Sequence, residues 1–71
     1  MNEYNEPVVE RFWTITTSDS SKFNNWMSAY AYAEGNYDSK EEAEKAFVRA
    51  KEAGLCQHSK YHVAQFEYRR I

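Results

Sequence analysis

The sequence holds a single cysteine, Cys56, so no disulfide can form within one chain. Small secreted domains lean on several disulfides, and a reducing cytoplasm is therefore the expected compartment. Proline and glycine are scarce, at one and two residues, which excludes collagen-like and low-complexity chains. No apolar run approaches the roughly 20 residues that a membrane-spanning helix needs. The opening Met1-Asn2-Glu3-Tyr4-Asn5-Glu6 has neither the basic nor the apolar stretch of a signal peptide. Excess basic charge is absent too: nine Lys and Arg face eleven Asp and Glu, a net charge of −2. Nucleic-acid binders draw affinity from phosphate contacts and are usually basic, so general nucleic-acid binding is disfavoured. Glycine-rich phosphate loops, Walker motifs and the Gly-x-Ser-x-Gly elbow do not occur.

What remains is a chain of 71 residues, enough for one small domain. A chain of this size buries only about 60% of the surface its unfolded form exposes. A deep substrate cavity inside one copy is not expected. Hydrophobic residues make up 42% of the chain and aromatics 17%, with six Tyr, four Phe and two Trp. That is a globular composition with a surplus of rings.

Residues 1–7 read as a polar, acidic tail ending in Pro7, and residues 8–71 as a single domain. Val8–Thr17 is rich in β-branched and aromatic residues and predicts a strand. Alternation puts Val9, Trp13 and Ile15 on one face, the expected core face. Glu10, Phe12, Thr14 and Thr16 fall on the other. Ser18-Asp19-Ser20-Ser21 predicts a turn. Phe23–Ala33 matches two templates. Phe23, Trp26, Met27 and Tyr30 fit a helical stripe with Ser20 or Ser21 as cap. The Ala-Tyr-Ala-Tyr alternation and the two Asn favour a strand, which is the expectation taken here. Gly35-Asn36 marks a turn.

Ser39 with Glu42 three residues on forms a capping box and predicts a helix over Lys40–Ala53. Glu41, Glu42 and Glu44 suit the positive end of the helix dipole. Ala43, Ala46, Phe47 and Ala50 form its apolar stripe, and Gly54 stands where a helix-terminating glycine belongs. Tyr61–Ile71 predicts a last strand, with His62, Ala64, Phe66 and Tyr68 on one face. The expected architecture is α+β, in the order β-β-α-β: a three-stranded antiparallel sheet with one helix on a face and the other face open.

Cys56, His58 and His62 are zinc-type ligands at close spacing, but a structural zinc site takes four ligands and no second cysteine pair exists. Read as a thiol and its base, the set lacks an orienting third group. No catalytic residue, metal or cofactor is expected. The rings Trp26, Tyr30, Tyr32, Tyr37, Tyr61, Phe66 and Tyr68 exceed what one small core holds. Some of them are expected on an exposed contact face, since Tyr and Trp are enriched at interfaces. The acidic set Glu34, Asp38, Glu41, Glu42 and Glu44 suits a basic partner surface. Tyr30, Tyr32, Glu34, Asp38, Tyr68, Arg69 and Arg70 are the candidate partner-contact residues.

Arg11-Phe12-Trp13, then Ser18 and Phe23, then Tyr32-Ala33-Glu34 leading into an acidic, alanine-rich helix, resemble the small podovirus proteins that inhibit bacterial RNA polymerase. The likeness covers roughly residues 11–50, and the Phe-Trp pair is its most specific part. It implies a short sheet with one helix, and action by protein–protein contact through last-strand arginines and an acidic face. Gln65 and Glu67 stand where those arginines belong, which leaves Arg69 and Arg70 to fill the part. Anti-CRISPR proteins are similar in size, acidity and element order. The expected function is that of a non-enzymatic phage-type protein that inhibits or regulates a larger host machine, such as RNA polymerase or a CRISPR effector, in the bacterial cytoplasm. The alternative is a nucleic-acid-binding module using sheet aromatics and the basic C-terminus. A homodimer paired at a sheet edge is compatible with either.

Overall fold

The computed structural model describes residues 8–70. The expected tail over residues 1–7 lies outside the described residues. The elements run β1 Val8–Thr16, β2 Lys22–Phe23, α1 Trp26–Ala31, β3 Glu34–Tyr37, α2 Lys40–Glu52 and β4 His62–Arg70. The strands form one sheet in the order β2-β4-β1-β3. β1 and β4 pair antiparallel along their whole length, from Val8 opposite Arg70 to Thr16 opposite His62. β3 joins β1 antiparallel through Trp13–Tyr37 and Ile15–Glu34. β2 joins β4 in parallel, with Lys22 opposite Glu67 and Phe23 opposite Tyr68.

The α+β class stands as expected, but the sheet has four strands of mixed direction and two helices accompany it. The strand expected over residues 23–33 is instead the end of β2 followed by α1. Asn25, not Ser20 or Ser21, caps α1: its side-chain oxygen accepts the Ser28 N–H at 2.9 Å. Ala29 is the one residue of α1 that is fully buried, and its small side chain lets the helix backbone sit close to the sheet. A helix of six residues is marginal alone and owes its stability to that packing.

The core face of β1 also differs from expectation. Phe12, Thr14 and Thr16 are buried, while Val9 is exposed and Trp13 half-buried. Phe12, Ala29, Phe66 and Tyr68 form the main apolar cluster, with Phe23, Ala33 and Ala64 packed against it. The two buried threonines are satisfied. Thr14 Oγ1 donates to the Gly35 carbonyl and Thr16 Oγ1 to the Tyr32 carbonyl, each at 2.7 Å. Ile15, on the opposite face of β1, is buried as well, as is Ala43 of α2. Neither belongs to the Phe12 cluster, and α2 contacts β1, β3 and β4. The two helices therefore cover opposite faces, and the sheet has no open face of the kind expected.

α2 follows its sequence signals. The Ser39 hydroxyl accepts the Glu42 N–H at 3.2 Å, and Gly54 takes the left-handed conformation at φ +83° that ends a helix. Phe47, expected in the core, is only half-buried, with the Lys51 ammonium 4.4 Å from its ring centre. Gly35, at φ +94°, sits where the β1–β3 register shifts between Trp13 and Ile15. Pairing resumes beyond the bulge at Trp13–Tyr37 and stops there, because the chain leaves β3 at Tyr37 to enter α2 at Lys40.

Candidate functional site

Of the helix stripe seen in the sequence, Phe23 packs against the core cluster, while Trp26 and Met27 point outward. Trp26 is 55% and Met27 64% exposed, which is high for residues of their size. Ala29 anchors the helix, so its larger neighbours are left on the solvent side. Tyr30 stands between the two environments. Its ring stacks on Phe12 at 4.9 Å and 11°, and Trp26 meets it edge-on at 6.3 Å. The Tyr30 hydroxyl accepts a hydrogen bond from Asn36 Nδ2 at 2.8 Å. The bulged β3 thus holds the outer edge of the helix face.

Beside this face lies a cleft of about 350 Å³ lined by Glu10, Trp26, Tyr30, Tyr68 and Arg70. Strand pairing makes it: Glu10 is opposite Tyr68 on β4, and Arg70 follows two positions on, on the same face. Tyr68 donates its O–H to Glu10 Oε2 at 2.8 Å, and Arg70 Nη1 donates to Glu10 Oε1 at 3.0 Å. The Tyr68 hydrogen bond holds the Glu10 carboxyl below its ordinary pKa, and the hydrogen bond and charge of Arg70 act the same way against partial desolvation. The Tyr68 phenol moves up, first through its bond to Glu10, then through burial and the adjacent Tyr30. Glu10 therefore stays ionised and Tyr68 stays protonated at neutral pH. The floor of the cleft is a fixed donor–acceptor network, and its wall is aromatic.

Of the candidate contact residues, the structure brings together Tyr30, Tyr68 and Arg70. Tyr68 is itself buried, so it supports the site more than it offers surface. Arg69 is exposed, and alternation puts it on the opposite sheet face, opposite Val9. Tyr32 is exposed and stacks on Phe23 at 6.1 Å, just after α1. Glu34 and Asp38 are exposed at the two ends of β3 and line no part of the cleft. Trp26 and Glu10 belong to the site and were not among the candidate contacts. The helical reading of Phe23–Tyr30 was the signal for Trp26. Glu10 had none, because its partner is far along the chain.

The sheet aromatics Phe12, Phe66 and Tyr68 are buried. A base-stacking platform needs exposed rings, and these three rings offer none. Cys56, His58 and His62 do not converge. His58 Nδ1 accepts the Lys60 N–H at 3.1 Å, and His62 Nδ1 lies 2.9 Å from the Lys60 carbonyl. Among the described residues, no group of three His, Cys, Asp or Glu is gathered that would hold a metal ion. No described helix is long and apolar enough to cross a membrane. No family model, curated protein or solved structure matches the chain.

Proposed function

We propose that this protein is a non-enzymatic binding protein that inhibits or regulates a larger protein machine by docking the outer face of α1 on it. The observation that carries the reading is the exposure of Trp26 and Met27 directly beside the cleft of Glu10, Tyr30 and Arg70. Interfaces concentrate their energy in a few aromatic and arginine anchors ringed by polar groups. Here the anchors are Trp26, Tyr30 and Arg70, with Tyr32 at the margin. Glu34, Asp38 and the acidic start of α2 give a negative flank that steers the chain towards a basic surface. The resemblance of Arg11-Phe12-Trp13 and its surroundings to phage inhibitors of RNA polymerase points to a bacterial nucleic-acid-processing complex as the target. Arg69, on the opposite face, is not part of this contact.

The test is affinity capture from bacterial lysate with the tagged protein, with and without nuclease, in parallel with Trp26→Ala and Arg70→Ala variants. A stoichiometric protein band that survives nuclease and is lost with Trp26→Ala supports the reading. Bands that vanish with nuclease shift the function to nucleic-acid binding. A band that persists in both variants removes the α1 face from the contact.

A further inference from the structure

We propose that this protein also binds the phosphate group of a small molecule, in a cavity built at the turn into β4. The cavity holds about 390 Å³ and is lined by Thr17, His58, Lys60 and Tyr61. It shares no residue with the cleft beside α1, so it is separate from the docking face.

Strand pairing and one turn assemble it. β1 and β4 run side by side from Val8 opposite Arg70 to Thr16 opposite His62. Thr17 is the residue after β1, and Tyr61 the residue before β4. The Tyr61 N–H donates to the His58 carbonyl at 3.1 Å, which closes residues 58–61 into a turn and brings His58 and Lys60 to the same cavity. Inside the turn the Lys60 N–H donates to His58 Nδ1 at 3.1 Å, and the Lys60 carbonyl lies 2.9 Å from His62 Nδ1. The backbone that carries the Lys60 side chain is thus pinned on both sides.

The lining is one-sided in its chemistry. A backbone N–H can only donate, so His58 Nδ1 is the acceptor and the imidazole carries its proton on Nε2. That leaves Nε2–H as a donor. Lys60 adds an ammonium, and Thr17 and Tyr61 add hydroxyls. No carboxylate lines the cavity, and Asp19, the acid nearest Thr17 in the chain, is not part of it. The ion pairs among the described residues use Arg11, Lys45 and Arg70, so Lys60 has its charge to offer. The structural bonds at the end of β1 fall to Thr16, whose hydroxyl donates to the Tyr32 carbonyl and accepts the Ser18 N–H at 3.0 Å. The exposed Thr17 hydroxyl is not needed for them. Donors of this kind suit a tetrahedral oxyanion with compact charge and several acceptor oxygens, and a phosphate group is one. A polyanion fits less well. Arg69 and Arg70 stand at the far end of β4, about 26 Å from His62 at the rise of a strand, with no basic residue between His62 and Arg69.

The experiment is an NMR titration of the full chain, reading backbone amides, with inorganic phosphate and with glycerol phosphate at an ionic strength held constant by chloride. We expect saturable shifts concentrated at Thr17, His58, Lys60 and Tyr61, with Kd between about 0.1 and 10 mM. Lys60→Gln keeps the backbone bonds of the turn and should weaken binding about three- to tenfold. Lys22→Gln, at a different cavity, should leave Kd unchanged. Tighter binding of glycerol phosphate supports a phosphate monoester as the ligand, and equal or weaker binding supports the free ion. Shifts that stay linear to about 50 mM phosphate, that chloride reproduces, or that fall on other residues overturn the proposal. So does a Kd indifferent to Lys60→Gln. A single-stranded oligonucleotide that binds these amides at least about tenfold tighter than glycerol phosphate overturns the assignment to a small molecule.

Discussion

Alanine at Gly35 tests whether the β3 bulge is held by backbone conformation alone or also by the ring above it. Gly35 has φ +94°, and a Cβ there would fall 2.6 Å from Tyr37 Cε2 and 2.7 Å from its hydroxyl oxygen. A left-handed conformation costs a residue with a Cβ roughly 1–2 kcal/mol. The stiffer unfolded chain offsets about 0.4–1 kcal/mol of that. Displacing the half-buried Tyr37 ring adds about 1–3 kcal/mol, the usual cost of overpacking. The net expectation for Gly35→Ala is a loss of roughly 2–3 kcal/mol, against a total stability of about 4–10 kcal/mol for a chain this long. Gly54 supplies the control. It has φ +83° and nothing within 4 Å of a built Cβ, so Gly54→Ala should cost roughly 1 kcal/mol or less. Urea unfolding followed by circular dichroism measures both, and the difference between the variants isolates the Tyr37 contact. Equal losses, within about 0.5 kcal/mol, refute the claim that the ring constrains the bulge. The outcome bears on the site, because the same bulge places Asn36 against the Tyr30 hydroxyl.

Phe66 is fully buried in the main cluster, and Phe66→Ala should cost about 3–5 kcal/mol in the same assay. Phe47→Ala should cost clearly less, because that ring is only half-buried. Ser39→Ala removes the α2 cap bond to Glu42 and should cost about 1 kcal/mol. Glu10 has a folded pKa below its ordinary value, so its ionised form stabilises the fold above the unfolded pKa of about 4.3. That contribution fades as pH falls through the lower, folded pKa. Stability measured from pH 6 downward should therefore fall less steeply in Glu10→Gln, and an unchanged acid limb would contradict the Tyr68–Glu10–Arg70 network. Trp26→Ala removes the edge-on contact with Tyr30 and should cost about 0.5–1.5 kcal/mol of stability, while lowering partner capture in a protein that still folds.

The parts of the fold readable in advance were those written in local chemistry. Ser39, Glu42 and Gly54 marked both ends of α2, and alternation marked β1 and β4. Other parts depended on distant residues. The face of β1 was misjudged because Trp13 is large and Thr14 and Thr16 are polar. The threonines are buried all the same, since carbonyls of Gly35 and Tyr32, far along the chain, accept their hydroxyls. α1 hid behind the Ala-Tyr-Ala-Tyr alternation, which mimics a strand. Its fully buried residue is the small Ala29, so Trp26 and Met27 of the bulky stripe that reads as a core are exposed. β2, at two residues, is too short to leave a pattern. Of the site, Tyr30, Tyr68 and Arg70 were legible as surplus rings and terminal charge. Their meeting at Glu10 was not, because it depends on the pairing of β1 with β4.

The central claim is that the outer face of α1 is a protein-contact surface. A photo-reactive amino acid at position 27, where Met27 is 64% exposed, tests it most directly, with the same group at position 48 on α2 as the comparison. Irradiation in nuclease-treated bacterial lysate should give one discrete protein adduct from position 27 and none from position 48. An adduct from position 48 alone, or only nucleic-acid adducts in untreated lysate, would contradict the account.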